Sequence, residues 1–306
     1  MTTIIKPMLA PNDEFDAATC KMPKMASAKI DGFRMFNQGG TAYTRSGKPM
    51  ANEYTQSLFS RPEFDGLDGE LVIGEPNDPD VFNNSQSPLR TKTGEPKAVW
   101  YIFDDRSRAN QPFKERLHHA ANRIQQIWIH MPEFKDIIQL VRHHWFDSVE
   151  DLLEYEAGCV EDGYEGCMAR DPAAPYKAGR ATYKENTFLK MKRLTHDEAE
   201  ITGMEEQMIN ENESFKDELG HTKRQSLKEN LVPSGMVGAF WMKSSKWPEP
   251  FKVSASSLTH EQKRNAMANP EEYVGKLGAF KYFGHGTIDA PRQGVFKGVR
   301  DPSDMS

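Results

Sequence analysis

Lys29-Ile30-Asp31-Gly32-Phe33-Arg34 constrains this chain more than any other stretch. Asp-Gly is strong turn chemistry, because glycine accepts positive φ and aspartate bonds its own backbone. Apolar residues flank it, Ala26, Ala28 and Ile30 before and Phe33, Met35 and Phe36 after. The pattern predicts a strand, a tight turn and a second strand, with Lys29 held near the turn. Two readings stay open. One is a hairpin tip with solvated charges, since Asp-Gly is a leading hairpin signal. The other is a site, because a lysine fixed at a strand end acts as a covalent nucleophile where its amine is kept neutral.

Later segments offer partners for that lysine. Arg45-Ser46-Gly47-Lys48 places a basic residue on each side of a Ser-Gly turn, either a phosphate-facing loop or a solvated turn. Asp68 and Glu70 lie two apart after a Gly66 turn, hence on one face of a strand, suited to a sugar hydroxyl, a metal or plain solvent. Ala98 to Asp104 is apolar, β-branched and aromatic, a buried strand in which Tyr101 and Phe103 share a face. Glu165 opens another strand. Phe188-Leu189-Lys190-Met191-Lys192 alternates apolar with basic, so Lys190 and Lys192 point one way together. Two like charges on one strand face repel unless an anion sits between them. Residues 74–98, rich in Pro, Asn, Ser and Gly, read as a loop or insertion. Residues 112–130 and 148–158 read as helices. The adjacent pairs His118-His119 and His143-His144 face different directions and do not read as metal sites.

Beyond Arg193 the texture changes to short strands with one helix at 259–268, the pattern of a small β-barrel. A new strand is expected to begin at 199–204, and the basic stretch 220–225 reads as a loop. A chain of 306 residues is long enough for two domains. No apolar run approaches a membrane span, and the N-terminus lacks the basic and apolar regions of a secretory signal. Three cysteines in no paired spacing read as reduced thiols of a cytoplasmic protein. The net charge of −6 means that any DNA-binding face is a local basic stripe on an acidic surface.

Taken in order, these segments resemble the covalent nucleotidyltransferases, and among them the ATP-dependent DNA ligases, especially the minimal bacteriophage type. Lys29 to Arg34 resembles the nucleophile motif, Arg45 to Lys48 the basic loop after it, and Leu67 to Glu70 the third motif. Tyr101 to Asp104 resembles the aromatic strand, and Glu165 to Arg170 and Leu189 to Lys192 the last two motifs of the catalytic domain. Pro7 to Ala10 matches the lead-in, and Arg292 to Pro302 resembles the terminal motif more loosely. The resemblance implies an α+β protein: an adenylation (nucleotidyltransferase) domain of antiparallel sheets with helices over 1–192, then an OB-fold β-barrel over 193–306. It implies a DNA ligase that seals nicks in double-stranded DNA through lysyl-AMP, using ATP and Mg2+ or Mn2+. A monomer is expected, working in the cytoplasm (the host's, if bacteriophage-encoded) in DNA replication, repair and recombination.

By that resemblance Lys29 carries AMP, and Lys190, Lys192 and Arg45 contact its phosphate. Arg34 and Glu70 hold the ribose, and Phe103 stacks on adenine with Tyr101 as the alternative. Glu165 holds the metal; Asp31 shapes the turn or holds metal-bound water. Ser27 stands where many relatives carry a glutamate that reads the adenine amino group. Lys190 and a bound Mg2+ nearby are expected to lower the Lys29 pKa from its ordinary value of about 10.4, while Asp31 would oppose them. Lys223, Arg224 and Lys228, with Lys177 and Arg180, are the candidates for DNA backbone contacts, each also readable as a solvated loop residue. RNA ligases and mRNA-capping guanylyltransferases share the lysine chemistry and are the rival enzymes. A catalytically inactive nucleic-acid-binding module is the rival of another class. An NAD-dependent ligase is disfavoured by the short lead-in.

Overall fold

The computed structural model describes residues 3–284, 287 and 289–300. They fall into two compact units, Met1–Lys192 and Arg193–Ser306.

The first unit contains, in chain order, β1 (Lys24–Ala28), β2 (Phe33–Gln38), β3 (Thr41–Thr44), α1 (Glu53–Phe59), β4 (Leu67–Ile73), α2 (Val81–Arg90) and β5 (Ala98–Asp105). Then follow α3 (Phe113–His130), β6 (Ile138–Leu140), β7 (His144–Phe146), α4 (Val149–Glu161), β8 (Gly166–Arg170) and β9 (Phe188–Lys192). The strands form two sheets, one of order β3-β2-β4-β5-β6 and one of order β7-β1-β8-β9. Every pairing is antiparallel except β5 with β6.

The hairpin reading of the Asp-Gly pair is overturned. β1 and β2, which flank it, belong to different sheets and do not pair. The chain crosses from one sheet to the other at Lys29-Ile30-Asp31-Gly32, so Lys29 stands where the two sheets come together. Nor does Gly32 adopt a positive φ. Glycine is needed because a Cβ there would lie 2.3 Å from the Leu71 carbonyl oxygen on β4.

α3 buries Phe113, Leu117, Ala120, Ile124 and Ile127, one helical stripe, and packs against β5 and β6. That contact closes a core built on Trp100, Ile102, Leu71 and Phe64. α4 covers the second sheet over Ala26, Cys167, Leu189 and Met191. Residues 74–98 are not simply a loop, because they contain α2. Its Val81, Ser85 and Leu89 are buried at helical spacing, and the Ser85 hydroxyl accepts the Ile73 N–H at 3.0 Å. Polar composition and Pro88 disguised that stripe.

The second unit contains β10 (Thr195–Asn210), β11 (Ser214–Lys216), β12 (Thr222–Arg224), β13 (Leu231–Lys243), β14 (Phe251–Ser254), α5 (His260–Ala268), β15 (Leu277–Phe283) and β16 (Arg292–Val299). A closed barrel of order β10-β13-β14-β16-β15 encloses Ile201, Phe240, Val253, Phe280 and Phe296. α5 packs on β13. The strand expected from 199 begins four residues earlier. Residues 222–224, read as loop, are strand β12, paired with β11 in a separate hairpin. The loose terminal match coincides with β16, and its Asp301 and Pro302 lie outside the described residues. No helix among the described residues is long and apolar enough to cross a membrane.

Candidate active site

The four-stranded sheet presents one row of cross-strand neighbours: Ser27 on β1, Met168 on β8 and Lys190 on β9. Leu189 and Met191 point the other way and are buried, so the alternation of β9 works as the pattern predicts. The five-stranded sheet presents a second row, with Arg34 on β2, Glu70 on β4 and Tyr101 on β5. Both rows converge on Lys29, whose backbone N–H is anchored on the Gly166 carbonyl at 2.8 Å.

The Lys29 amine donates to Glu165 Oε2 and lies 3.9 Å from Asp31 Oδ1. Lys192 Nζ reaches the other oxygen of Glu165 at 3.0 Å. Burial alone would push the Lys29 amine down, yet Glu165, Asp31 and Glu70 outweigh it and hold it above the ordinary lysine value. Asp31 thus opposes loss of the proton, as expected, and Glu165 and Glu70 add to it. The amine's counter-ion is a buried carboxylate, and burial of Glu165 is in turn outweighed by Lys29 and Lys192, which hold it below the carboxylate range. Lys190 differs. It makes no hydrogen bond or ion pair among the described residues. Burial, with repulsion from Lys192, Arg180 and Lys29, brings it to about 8. A half-buried ammonium ringed by other cations is a place where an anion is strongly favoured. Burial also lowers Lys192, with Glu165 opposing.

Arg45 is exposed at the loop after β3. Partial burial of its head, then Arg180 and Arg34, push its guanidinium below the ordinary value, so three arginines approach one place. Burial raises Glu70 to about 7 against the pull of Arg34 and Lys29. Arg34 does not use Glu70 as its partner. Its Nε and Nη2 clasp Asp68 at 2.7 Å each, and its guanidinium lies 4.5 Å from the centre of the Phe103 ring. Arg170 lies 5.4 Å from the same ring and bonds buried Asp104, which also takes Arg116 at 2.8 and 3.1 Å. Asp104, Arg116, Arg170 and Tyr176 are thus neighbours of the site that sequence reasoning left without a role, and Asp68, read with Glu70 as a sugar or metal ligand, is engaged by Arg34. Only tertiary packing brings β4, β5, α3, β8 and the loop at 176 together.

An ATP-dependent DNA ligase domain model matches residues 7–192, and a DNA ligase OB-like domain model matches residues 232–300. The chain belongs to the ATP-dependent DNA ligase family. It is a ligase that uses ATP and seals nicks in duplex DNA. Among solved structures, the Chlorella virus DNA ligase-adenylate is 27% identical with a TM-score of 0.55, over 97% of this chain and 100% of that one. A structure of Lig E DNA ligases has a TM-score of 0.67 at 22% identity, over 97% of this chain and 100% of that one, and supports the fold. A comparison with curated protein sequences gives no match.

The remaining candidates of this ligase fall in both units. Lys177 is paired with Glu185 at 2.5 Å, and exposed Arg180 donates to the Ala10 carbonyl. In the second unit Lys223 pairs with Asp217 at 2.9 Å, Arg224 donates to the Asn212 carbonyl, and Lys228 is exposed. No group of three or more His, Cys, Asp or Glu side chains suited to a metal is present among the described residues.

Proposed function

We propose that Lys29 is the residue adenylated by ATP. Its Nζ attacks the α-phosphorus, a P–N bond forms, the bond to the bridging oxygen of pyrophosphate breaks, and pyrophosphate leaves. The 5′-phosphate of a nick then displaces the lysine, and the 3′-hydroxyl displaces AMP. The observation that carries this reading is the convergence of Lys190, Lys192 and Glu165 on Lys29 at the crossing between two sheets.

Phosphoryl transfer depends on positioning and charge neutralisation. Lys190 and Lys192 take the AMP phosphate, with Arg45 and Arg180 nearby. An anion there satisfies the repulsion that lowers Lys190. Arg34 and Glu70 hold the ribose, Phe103 and Tyr101 offer the rings for adenine, and Ser27, in the row with Lys190, faces the base. Lys29 passes its proton to solvent before attack; repulsion from Lys190 and Lys192 favours that loss, and Glu165, Asp31 and Glu70 oppose it. Glu165 and Asp31 are the oxygen donors flanking Lys29. They fit a hard cation such as Mg2+, which takes one or two carboxylates and completes its shell with phosphate and water. When bound, it supplies charge neutralisation at the phosphates. Asp31 otherwise shapes the turn.

The first unit is the adenylation domain over 1–192 and the second the OB-fold domain over 193–306. Lys223, Arg224 and Lys228, with Lys177 and Arg180, serve the DNA backbone. We read the ligase further as a bacteriophage-type monomer acting in its host's cytoplasm on nicks from DNA replication, repair and recombination. The deciding experiment incubates Lys29→Ala with radiolabelled ATP and Mg2+. Labelling of the protein with AMP disappears while its thermal unfolding stays close to wild type; surviving labelling would remove Lys29 from the centre of the reaction.

A further inference from the structure

The Tyr176-Lys177-Ala178-Gly179-Arg180 stretch stands out in the sequence for its basic residues, and the reaction leaves its tyrosine without a task. Tyr176 is 8% exposed. Its hydroxyl donates to Asp68 Oδ2 at 2.7 Å and accepts the Met8 N–H at 2.8 Å. Asp68, fully buried, gives Oδ1 to Arg34 Nε and shares Oδ2 between Arg34 Nη2 and Tyr176. Arg34 Nη2 also reaches the Met8 carbonyl at 3.3 Å. The bonds close a circuit: Met8 N–H to Tyr176, Tyr176 to Asp68, Asp68 to Arg34, and Arg34 back to the Met8 carbonyl.

We propose that Tyr176 is a positioning residue that fixes the Arg34 guanidinium against the Phe103 ring, and so sets how the ligase binds ATP. This rests on Arg34 being a nucleotide contact. The geometry makes the tyrosine necessary. Strand register gives Arg34 two carboxylates on one face, Glu70 directly opposite and Asp68 diagonally, so register alone does not choose between them. Asp68 takes both Arg34 nitrogens, and Tyr176 holds the Oδ2 that receives Nη2. With Nε and Nη2 engaged, Nη1 is the guanidinium nitrogen left for the nucleotide. The hydroxyl stays a donor throughout, because burial and then Asp68 push its pKa well above the ordinary tyrosine value. The circuit also ties the lead-in and the Arg180 loop to the ribose side of the pocket. The Leu9 N–H bonds the Gly179 carbonyl at 2.9 Å, and the Ala181 N–H bonds the Leu9 carbonyl at 2.8 Å.

Tyr176→Phe removes the hydroxyl and keeps the ring among Met8, Ala10, Ala181 and Phe188. Wild type, Tyr176→Phe, Arg34→Lys and the double variant are compared by single-turnover labelling with AMP over a range of ATP concentrations, with thermal unfolding in parallel. Arg34→Lys keeps the charge and loses the two-pronged grip. In the wild-type background Tyr176→Phe is expected to raise the ATP concentration for half-maximal labelling tenfold or more, with the saturating rate within threefold. In the Arg34→Lys background the same change is expected to have less than a twofold effect, because the group it acts through is gone. A silent Tyr176→Phe beside a damaged Arg34→Lys overturns the proposal, and so does the same tenfold loss in both backgrounds. An Arg34→Lys variant with unaltered ATP dependence would instead overturn the nucleotide role of Arg34.

Discussion

Asp104 holds Arg170, which lies 5.4 Å from the Phe103 ring, and Asp104→Asn probes how far the surrounding structure depends on that carboxylate. The carboxylate has no exposure and accepts from Arg116 Nε, Arg116 Nη2, Arg170 Nη1 and the Asp105 N–H. Arg116 and Arg170 are themselves buried, at 1% and 3%. Asparagine preserves the shape and removes the charge, leaving two guanidiniums inside the unit without their common counter-ion. Breaking a buried pair in this way costs about 3–5 kcal/mol. With an unfolding entropy proportional to chain length, a unit the size of Met1–Lys192 should lose about 7–12 °C in its transition temperature. Scanning calorimetry of the full chain at pH 7 measures this, with Asp147→Asn, an exposed carboxylate, as the control expected to shift by less than about 1 °C.

The dependence on pH supplies a second check. Burial would raise Asp104, but Arg170 and Arg116 outweigh it and hold it below the ordinary aspartate value of 3.8. Its contribution is therefore complete above the unfolded-state pKa and lost as pH falls through the lower folded value. The gap between wild type and variant should stay constant from pH 7 to about 5 and narrow on acidification below about 4. A shift under about 2 °C at pH 7 would refute the reasoning, because it would mean the two guanidiniums are compensated without Asp104.

Glu165→Ala should lower AMP labelling by at least about a hundredfold at ordinary Mg2+ concentrations while the protein remains folded; equal activity would take Glu165 out of the metal site. Lys190, at about 8, is charged below that pH and neutral above it. The apparent affinity for ATP should therefore weaken as pH rises through about 8 to 9, and Lys190→Arg, which stays charged, should flatten that dependence in a pH series of labelling assays. Gly32→Ala places a methyl 2.3 Å from a strand carbonyl that cannot move aside. It should cost roughly 1–3 kcal/mol or more by chemical denaturation, with loss of labelling, since the same turn carries Lys29.

Much of the site is local, and that part is legible in the chain. Alternation in Phe188-Leu189-Lys190-Met191-Lys192 places both lysines on one face whatever the strand pairs with, because the side-chain period of a strand is two. The buried stripe of α3 follows in the same way from a period of 3.6. Asp-Gly marks a change of direction at residues 31 and 32. α2 was hidden because its stripe includes a serine, whose hydroxyl is satisfied by the Ile73 N–H only once β4 lies beside it.

The amino-acid sequence by itself determined which side chains share a strand face, a helix stripe or a turn, since charge, alternation and turn propensity are properties of neighbouring residues. Tertiary structure decided what those residues do to one another. It made the Asp-Gly turn a crossing between sheets, where β4 comes too close for any side chain at residue 32. It gave Lys29 a carboxylate partner 136 residues away, so that its amine rests charged. It also gave Arg34 to Asp68, which Tyr176 holds, and not to Glu70 directly opposite it. Pairwise charge energy and burial depend on distances between distant segments, and no local pattern encodes those distances.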